Sequence, residues 1–359
     1  MTRQHQISKA DLKTTRWVDA PTAALANGEA RLKIDAFALT ANNVTYAAFG
    51  EEPMHYWAFF PATDPNWGRV PVWGFATISE SKAEGLEVGR RVYGYFPISD
   101  ELVVTAAKAT DAGFMDGAAH RAGLAPIYST YSYTDVDPAY VAAYEAEQML
   151  FRPLYATGWW LADTLTDASD TDLMAVVASS ASSKTALAMA HALKSHGGAE
   201  VIGLTSAANA DFVRETGLYD TTITYDALGD LASTRSPAAY VDFRGSPALN
   251  ADVHDTMGDA LVRSLIVGAT DWSGDKSPRQ LSGVTPEFFF VPDVASARVK
   301  AVGPGIMERM TTDLHGFYPA SASLCTPTHG AGEAAIDEAW AKALAGTVPA
   351  NAGQILTLG

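Results

Sequence analysis

Residues 172–206 constrain the fold of this chain more than any other segment, because they combine two apolar runs with an intervening helix. Residues 174–178 form an uninterrupted apolar run suited to a buried parallel strand, and residues 201–204 form another. Between them, residues 185–194 are rich in alanine and predict a helix. This succession predicts a βαβ unit, and therefore a parallel sheet in an α/β domain.

The loop between the first strand and the helix lacks glycine. βαβ units that bind a dinucleotide carry three glycines here, which allow a tight turn, close approach of the pyrophosphate and close helix packing. In this chain those positions fall on Ser179, Ser182 and Thr185. Their hydroxyls can donate to phosphate oxygens, Ser183 and Lys184 add a hydroxyl and a cation, and the helix N-terminus supplies amides. Two interpretations stay open at this point: a phosphate-binding loop without glycine, and a capped helix start in an ordinary α/β core.

The composition indicates a folded globular protein with room for two domains. The chain has 359 residues, of which 48% are hydrophobic and 18% charged. Its 41 acidic and 25 basic residues give a net charge of -16, which disfavours nucleic acid and anionic membranes as partners. No apolar run has the length of a membrane span or the form of a signal peptide, so we expect a cytoplasmic protein.

The cysteine and histidine content argues against a metal site. Cys325 is the only cysteine, which excludes an intrachain disulfide and a zinc site built from several thiolates. The eight histidines are scattered along the chain, without the spacing of a ligand pair backed by a carboxylate. The sequence therefore predicts no metal.

The chain divides into a β-rich part and an α/β part. Residues 29–39 alternate between apolar and polar side chains, and β-rich segments punctuated by glycine and proline follow. From residue 152 to residue 291, strands and helices alternate, which is typical of a doubly wound parallel sheet. The predicted strands of this sheet are residues 174–178, 201–204, 222–224, 239–243, 265–267 and 287–291. A helix at 333–345 and a strand at 354–358 are predicted in the tail.

This order of elements resembles the medium-chain dehydrogenase/reductase superfamily, and more narrowly a bacterial branch of it whose function is unassigned. The segments that carry the resemblance are residues 39–50, 70–79, 84–93, 153–165 and 333–358. The resemblance implies a GroES-like β domain formed by residues 1–150 and 292–359, and a Rossmann domain formed by residues 151–291. It also implies a homodimer that pairs through an edge strand at residues 288–290, although these phenylalanines could equally belong to the core.

The resemblance further implies a zinc-independent reductase of the quinone-oxidoreductase type. Zinc-dependent members have His-Glu after a glycine where this chain has Phe75 and Ala76 after Gly74. Zinc-independent members commonly transfer hydride from NADPH to a conjugated carbonyl compound or a quinone, with the protein supplying orientation and a polar contact.

Three residues are candidates for contacts with the substrate. Tyr46 aligns with a pocket tyrosine of the resembled group, and its phenol could donate a hydrogen bond to a substrate oxygen. Asn42 and Asn43 follow the position of the family's asparagine, which falls on Ala41. The alternative is that Tyr46 only packs at a strand end and that the two asparagines make a turn.

Other residues bear on the choice of cofactor. The second strand is followed by Thr205, Ser206 and Asn209 instead of the carboxylate that binds the ribose of NAD, so NADP is the predicted cofactor. Arg244 and Gly268 follow two later strands, whose carboxyl ends form the ligand crevice of doubly wound sheets. Arg244 could bind a phosphate or a substrate carboxylate there, or form a surface ion pair.

The sequence thus predicts an NADPH-dependent oxidoreductase that acts on a small molecule. Two alternatives remain. One is a reductase fold without cofactor that serves as a ligand-binding or interaction protein, which the missing glycines support. The other is a lyase or hydratase on the same scaffold.

Overall fold

The computed structural model describes residues 1–52, 54–167, 172–268 and 277–359. The chain forms two compact units, of which the first comprises Met1–Leu150 and Thr326–Gly359 and the second comprises Phe151–Cys325. Residues 292–325, which the sequence analysis assigns to the β domain, therefore belong to the second unit. They contain a helix whose Phe317 packs on Tyr155 and His191, with ring centroids 4.7 and 5.0 Å apart.

Strands predominate in the N-terminal part of the first unit. In chain order its elements are β1 (Thr2–Ser8), β2 (Thr15–Ala20), β3 (Glu29–Leu39), α1 (Ala41–Ala48), β4 (Trp67–Gly68), β5 (Pro71–Ser81), β6 (Arg91–Pro97), β7 (Glu101–Thr110), β8 (Gly113–Asp116) and β9 (Thr130–Tyr133). A long helix, α2 (Glu145–Leu165), begins in this unit and continues into the second.

Strands and helices alternate in the second unit. They are β10 (Ala175–Ala178), α3 (Lys184–His196), β11 (Glu200–Thr205), α4 (Ala210–Glu215), β12 (Thr221–Thr224), β13 (Ala238–Asp242), α5 (Pro247–Met257), β14 (Leu261–Ile266), β15 (Glu287–Phe288), α6 (Val291–Val302) and α7 (Gly305–Leu324). The chain then returns to the first unit with β16 (Thr326–Ala331), α8 (Gly332–Ala345) and β17 (Ala352–Thr357).

The main sheet of the first unit closes on itself. Its strand order is β16-β17-β3-β5-β6-β9-β8-β7, and β3 also pairs with β7. The strands from β3 to β7 therefore form a barrel, which leaves no free edge among them. The C-terminal strand β17 joins this sheet antiparallel to β3, as the resemblance implied for a β domain completed by the tail.

The sheet of the second unit is parallel throughout, with the order β12-β11-β10-β13-β14-β15. Numbered along the chain this is 3-2-1-4-5-6, the order of a dinucleotide-binding sheet, which reverses direction between β10 and β13. The residues of β10 are fully buried, as their uninterrupted apolar run requires. The predicted α/β class, with a β domain and a doubly wound Rossmann domain, is confirmed.

The last predicted strand is shorter than expected. Pairing with β14 ends at Phe288, and α6 begins at Val291 with a proline in its first turn. Phe289 is buried, whereas Phe288 lies at the sheet edge with 62% of its surface exposed. Phe288 is therefore not a core residue.

Candidate functional site

The loop from β10 to α3 adopts a glycine-like turn without glycine. Ser180 has a φ of 47°, in the left-handed region that favours glycine. The turn is stabilised by main-chain bonds from Ser183 to the Ser180 carbonyl, 2.7 Å, and from Ala181 to the Leu204 carbonyl, 2.9 Å. Ser180 is not evident from the sequence, because its importance lies in its backbone conformation and not in its residue type.

Glycines outside the loop permit the close packing that a fingerprint glycine otherwise provides. A Cβ on Gly158 of α2 would lie 2.5 Å from the main-chain nitrogen of Met189 on α3, so only glycine allows these two helices to approach so closely. A Cβ on Gly203 of β11 would lie 2.9 Å from the Cβ of Ala181 in the loop. Glycines on neighbouring elements therefore take over the steric function of the missing ones.

Ser179 connects the loop to the turn after β13. It is fully buried, its hydroxyl donates to Asp242 Oδ1 at 2.8 Å, and it accepts from the main-chain nitrogens of Phe243 at 2.9 Å and Arg244 at 3.0 Å. Asp242 is also buried and accepts from the Asn250 side chain at 2.7 Å. One donated and two accepted bonds use the full capacity of a serine hydroxyl. The structure therefore places Ser179 beneath the crevice.

Five residues gather at the carboxyl ends of β10 to β13, and we call them the crevice residues: Ser180, Ser182, Asn209, Tyr225 and Arg244. Asn209 donates from its amide to the Ser182 hydroxyl at 3.1 Å, and Ser180 donates its main-chain N–H to the Tyr225 hydroxyl at 3.0 Å. The guanidinium of Arg244 lies 4.4 Å from the centre of the Tyr225 ring. Because the strand order reverses here, this is the position where doubly wound sheets bind ligands.

Tyr225 is the crevice residue whose side chain sequence reasoning missed. It directly follows β12, and its main-chain nitrogen donates to the Thr205 carbonyl at 3.0 Å, which holds it beside the end of β11. Its position was the available signal, because Tyr225 immediately follows a predicted parallel strand.

The start of α3 contains the other loop residues predicted to bind a cofactor. Ser183 is the N-cap and accepts from the Ala186 nitrogen at 3.3 Å, as the capped-helix interpretation proposed. Thr185 is partly buried in the first turn. The Lys184 ammonium lies 5.8 Å from the centre of the Phe151 ring. Burial lowers the pKa of Lys184, and a hydrogen bond with the thiol of Cys325 opposes this shift.

The remaining predicted cofactor residues follow β11 and β14. Thr205 is buried at the end of β11, whereas Ser206 is partly exposed. The Gly268 nitrogen donates to the Asp242 carbonyl at 3.3 Å, so this glycine adjoins the turn that Ser179 supports. Residues 269 and 270, which follow this glycine in the sequence, lie outside the described residues.

In the first unit, Asn43 is structural. Thr40 caps α1, and Asn43 accepts from the Thr40 nitrogen at 2.7 Å, so together they form a capping box. The Asn43 amide also donates to the Pro71 carbonyl at 2.8 Å. Tyr46 therefore lies on helix α1, and not at the strand end where the packing alternative placed it.

Tyr46 is buried, and its hydroxyl accepts from Trp73 Nε1 at 3.1 Å. Burial raises the pKa of Tyr46 well above its usual value, and the charge of Tyr128 adds to this shift. Asn42, one helical turn before Tyr46, opposes the shift through a side-chain hydrogen bond. Asn42 and Tyr46 therefore present their polar groups together.

Tyr46 belongs to a group of aromatic side chains that are all buried except the partly exposed Tyr128. We call this group the aromatic cluster: Tyr46, Tyr56, Phe59, Trp73, Tyr95 and Tyr128. The centroid of the Tyr46 ring lies 4.6 Å from that of Tyr56 and 5.4 Å from that of Tyr95, and Tyr95 and Tyr128 are 4.8 Å apart. The hydroxyls of Tyr56 and Tyr128 are 3.4 Å apart. Several hydroxyls thus converge in an apolar environment, where each polar contact is stronger than in water.

The described part of the chain contains neither a metal-binding cluster nor a membrane-spanning helix. No group of three histidine, cysteine, aspartate or glutamate side chains there is arranged to hold a metal ion. No described helix is both long enough and apolar enough to cross a membrane.

The fold is similar to solved structures over almost the whole chain. CurA from Vibrio vulnificus in complex with NADPH has a TM-score of 0.69 at 12% identity and covers 99% of both chains. Mycobacterial Rv1454c complexed with NADPH has a TM-score of 0.56 at 14% identity, again with 99% of both chains. A mutant form of enoyl thioester reductase from Candida tropicalis has a TM-score of 0.59 at 10% identity, with 99% of both chains.

These similarities confirm the predicted fold, a β domain combined with a doubly wound Rossmann domain. No curated protein matched the chain in sequence. A family model described as "Protein of unknown function (DUF2855)" matches residues 37–349, which is most of the chain. The chain belongs to this family.

Proposed function

We propose that this chain is an NADPH-dependent oxidoreductase that reduces a conjugated carbonyl compound or a quinone without zinc. The observation that carries the proposal is the convergence of the crevice residues at the point where the parallel sheet reverses its strand order. The similarity to CurA and Rv1454c, whose structures contain NADPH, supports the choice of cofactor.

The crevice residues have the chemistry that NADPH requires. The pyrophosphate needs hydrogen-bond donors, and the first amides of α3 and the Ser182 hydroxyl can supply them. The 2′-phosphate needs a cation and further donors, which Arg244, Asn209 and Ser206 can supply. When bound, NADPH provides the hydride, and the protein binds and orients it.

The end of β11 favours NADPH over NADH. Enzymes that use NAD hold the ribose with a carboxylate at this position, and that carboxylate repels a 2′-phosphate. Here the first acidic residue after β11 is Asp211, which is exposed and forms an ion pair with Arg214 at 2.7 Å. No negative charge in the segment from Thr205 to Asn209 opposes the phosphate.

Tyr46 supplies the contact to the substrate carbonyl in this proposal. Its oxygen already accepts from Trp73, so its proton can be donated to another acceptor. Because the pKa of Tyr46 is raised, the phenol stays protonated and acts as a hydrogen-bond donor that stabilises negative charge on the carbonyl oxygen. Asn42 orients this hydroxyl, and solvent provides the proton that completes the product.

Thermal unfolding with nucleotide tests the proposal. NADPH at ~1 mM should raise the Tm of the wild-type chain, because a ligand that binds only the native state stabilises it. Ser182→Trp should abolish the rise by filling the crevice. Ser195→Trp, at an exposed serine on α3, the helix that follows Ser182, is the matched control and should keep it.

The outcomes separate the proposed reductase from the alternatives. No Tm rise with NADPH or NADH would contradict the reductase and favour a binding protein without cofactor. If NADPH raises the Tm but is not oxidised in the presence of cyclohexenone or para-benzoquinone, the cofactor assignment stands and the proposed substrate class is rejected.

A further inference from the structure

The proposed reductase uses one tyrosine hydroxyl of the aromatic cluster, and three other tyrosines lie beside it. The ring centroids of Tyr46 and Tyr56 are 4.6 Å apart, and the Tyr128 ring lies 5.7 Å from that of Tyr56 and 4.8 Å from that of Tyr95. Burial raises the pKa of all four tyrosines, so each hydroxyl keeps its proton at neutral pH. The cluster therefore holds four phenol groups that can donate hydrogen bonds.

Two contacts inside the cluster each leave one proton for a ligand. The Tyr46 oxygen accepts from Trp73 Nε1 at 3.1 Å, and because an indole nitrogen cannot accept, this bond does not use the Tyr46 proton. The hydroxyl oxygens of Tyr56 and Tyr128 are 3.4 Å apart. Whichever of these two hydroxyls donates, the other has a proton that this bond does not use.

Tyr95 adds a third donor. The residue is fully buried, and its hydroxyl has no hydrogen-bond partner in the part of the chain that the structure describes. The Tyr95 ring lies 5.4 Å from the Tyr46 ring and 5.0 Å from the Trp73 ring. The Tyr95 hydroxyl also opposes the rise in the pKa of Tyr46, so the two hydroxyls face the same space. A buried hydroxyl without an acceptor is destabilising, and an oxygen atom of a ligand would satisfy it.

Three donors exceed what one carbonyl oxygen accepts. A carbonyl oxygen has two lone pairs, so a third donor requires a second acceptor atom. The aromatic rings suit a flat ligand, and their apolar environment disfavours a charged one. Arg121 acts on Tyr95 through its charge, but its Nε is paired with Asp116 Oδ2 at 2.9 Å, so this cation is already balanced. These features indicate a flat, uncharged ligand with two oxygen atoms.

We propose that the substrate is an enedione, in which a carbon–carbon double bond lies between two carbonyl groups, and that Tyr95 and the Tyr56–Tyr128 pair bind its second carbonyl oxygen. This proposal rests on the proposed function, in which Tyr46 binds the first carbonyl oxygen. The double bond gains a hydride on one carbon while its π electrons move to the oxygen that Tyr46 holds, and a solvent proton then adds to the other carbon. The products are a saturated dione and the NADP⁺ formed from NADPH.

A matched pair of substrates tests this proposal: cyclohex-2-ene-1,4-dione and cyclohex-2-enone, which differ by the second carbonyl group. Oxidation of NADPH gives kcat/KM for each compound with the wild type and with Tyr95→Phe. The variant should lower kcat/KM roughly 3- to 10-fold more for the dione than for the enone, because a hydrogen bond to the second oxygen is lost. Its Tm without substrate should equal or exceed that of the wild type, since no described residue bonds the removed hydroxyl.

Tyr133→Phe is the matched control, because Tyr133 is a buried tyrosine of the same unit whose hydroxyl donates to the Gly85 carbonyl at 3.1 Å, outside the aromatic cluster. Any change in kcat/KM should be the same for the dione and the enone in this variant. Calorimetric titration with cyclohexane-1,4-dione and cyclohexanone gives a second readout, which needs no NADPH. Tyr95→Phe should raise the Kd of the dione more than that of cyclohexanone.

The outcomes distinguish this proposal from the proposed function. Equal losses for the dione and the enone in Tyr95→Phe, or an equal weakening of the two saturated ketones, would overturn the enedione and leave the reductase standing. No oxidation of NADPH with either unsaturated compound would contradict the reductase itself, and the enedione with it.

Discussion

The crevice residues of the second unit and the aromatic cluster of the first unit are built in opposite ways. The crevice residues are partly exposed polar groups, which the ends of four parallel strands bring together. The aromatic cluster is buried except for the partly exposed Tyr128, and ring packing holds its hydroxyls in an apolar environment that raises the pKa of each tyrosine. Strand topology therefore locates the first region, whereas side-chain packing defines the second.

Asp242→Ala should have the largest effect of these substitutions, measured on the free energy of unfolding. The side chains that support the crevice residues are buried, although the crevice residues themselves are partly exposed. The variant leaves the Ser179 hydroxyl and the Asn250 amide without their acceptor. We expect the free energy of unfolding to fall by about 3–5 kcal/mol, measured by urea denaturation. Asp211→Ala, on the surface of the same unit, should change it by less than about 0.5 kcal/mol. Equal effects would mean that the Asp242 network does not support the crevice.

Tyr46→Phe should lower kcat/KM by about 100-fold with cyclohexenone or para-benzoquinone, because the hydroxyl that stabilises the carbonyl oxygen is lost. Trp73→Phe breaks the same hydrogen bond but keeps that hydroxyl, so its kcat/KM should fall much less. Similar losses in the two variants would show that Tyr46 only packs. Because burial raises the pKa of Tyr46, ionisation of this phenol should not reduce wild-type activity below about pH 10.

Arg244→Gln should weaken NADPH binding by about 10- to 100-fold and leave NADH binding nearly unchanged, because a charge-assisted hydrogen bond to the 2′-phosphate is lost. Dissociation constants from nucleotide fluorescence measure this difference. Arg214→Gln is the control, since Arg214 is exposed and paired with Asp211. An equal loss of affinity for NADH would show that Arg244 does not contact the 2′-phosphate.

Gly158→Ala should have the smallest effect. It tests whether the close packing of α2 on α3 determines the conformation of the loop from β10 to α3. The added methyl would press on the main chain of Met189, which we expect to cost about 1–3 kcal/mol in urea denaturation. Gly316→Ala, in α7 with no atom near the added methyl, should instead stabilise the chain by about 0.5–1 kcal/mol. A neutral Gly158→Ala would mean that the two helices can separate without cost.

The parallel sheet could be predicted because its central strands are apolar runs between turn signals. Strand β16 could not, because Thr326–Ala331 is short, mostly polar and exposed, and among the described strands it pairs with β17 alone. Helix α7 contains Pro319 and two glycines, which weaken its helical pattern, so the second unit extends further than the sequence indicated.

The candidate sites were predictable only in part. Ser182, Asn209 and Arg244 could be selected because each has a side chain that can bind a phosphate and each lies just after a predicted strand. The turn at Ser180 could not, because nothing in its residue type indicates a positive φ.

A crystal structure of the chain soaked with NADPH tests the central claim most directly. The account predicts one NADPH at the carboxyl ends of β10 to β13, with its pyrophosphate against Ser182 and the first amides of α3 and its 2′-phosphate against Arg244. Crystals without nucleotide at this crevice, from a protein whose Tm NADPH does not change, would contradict it.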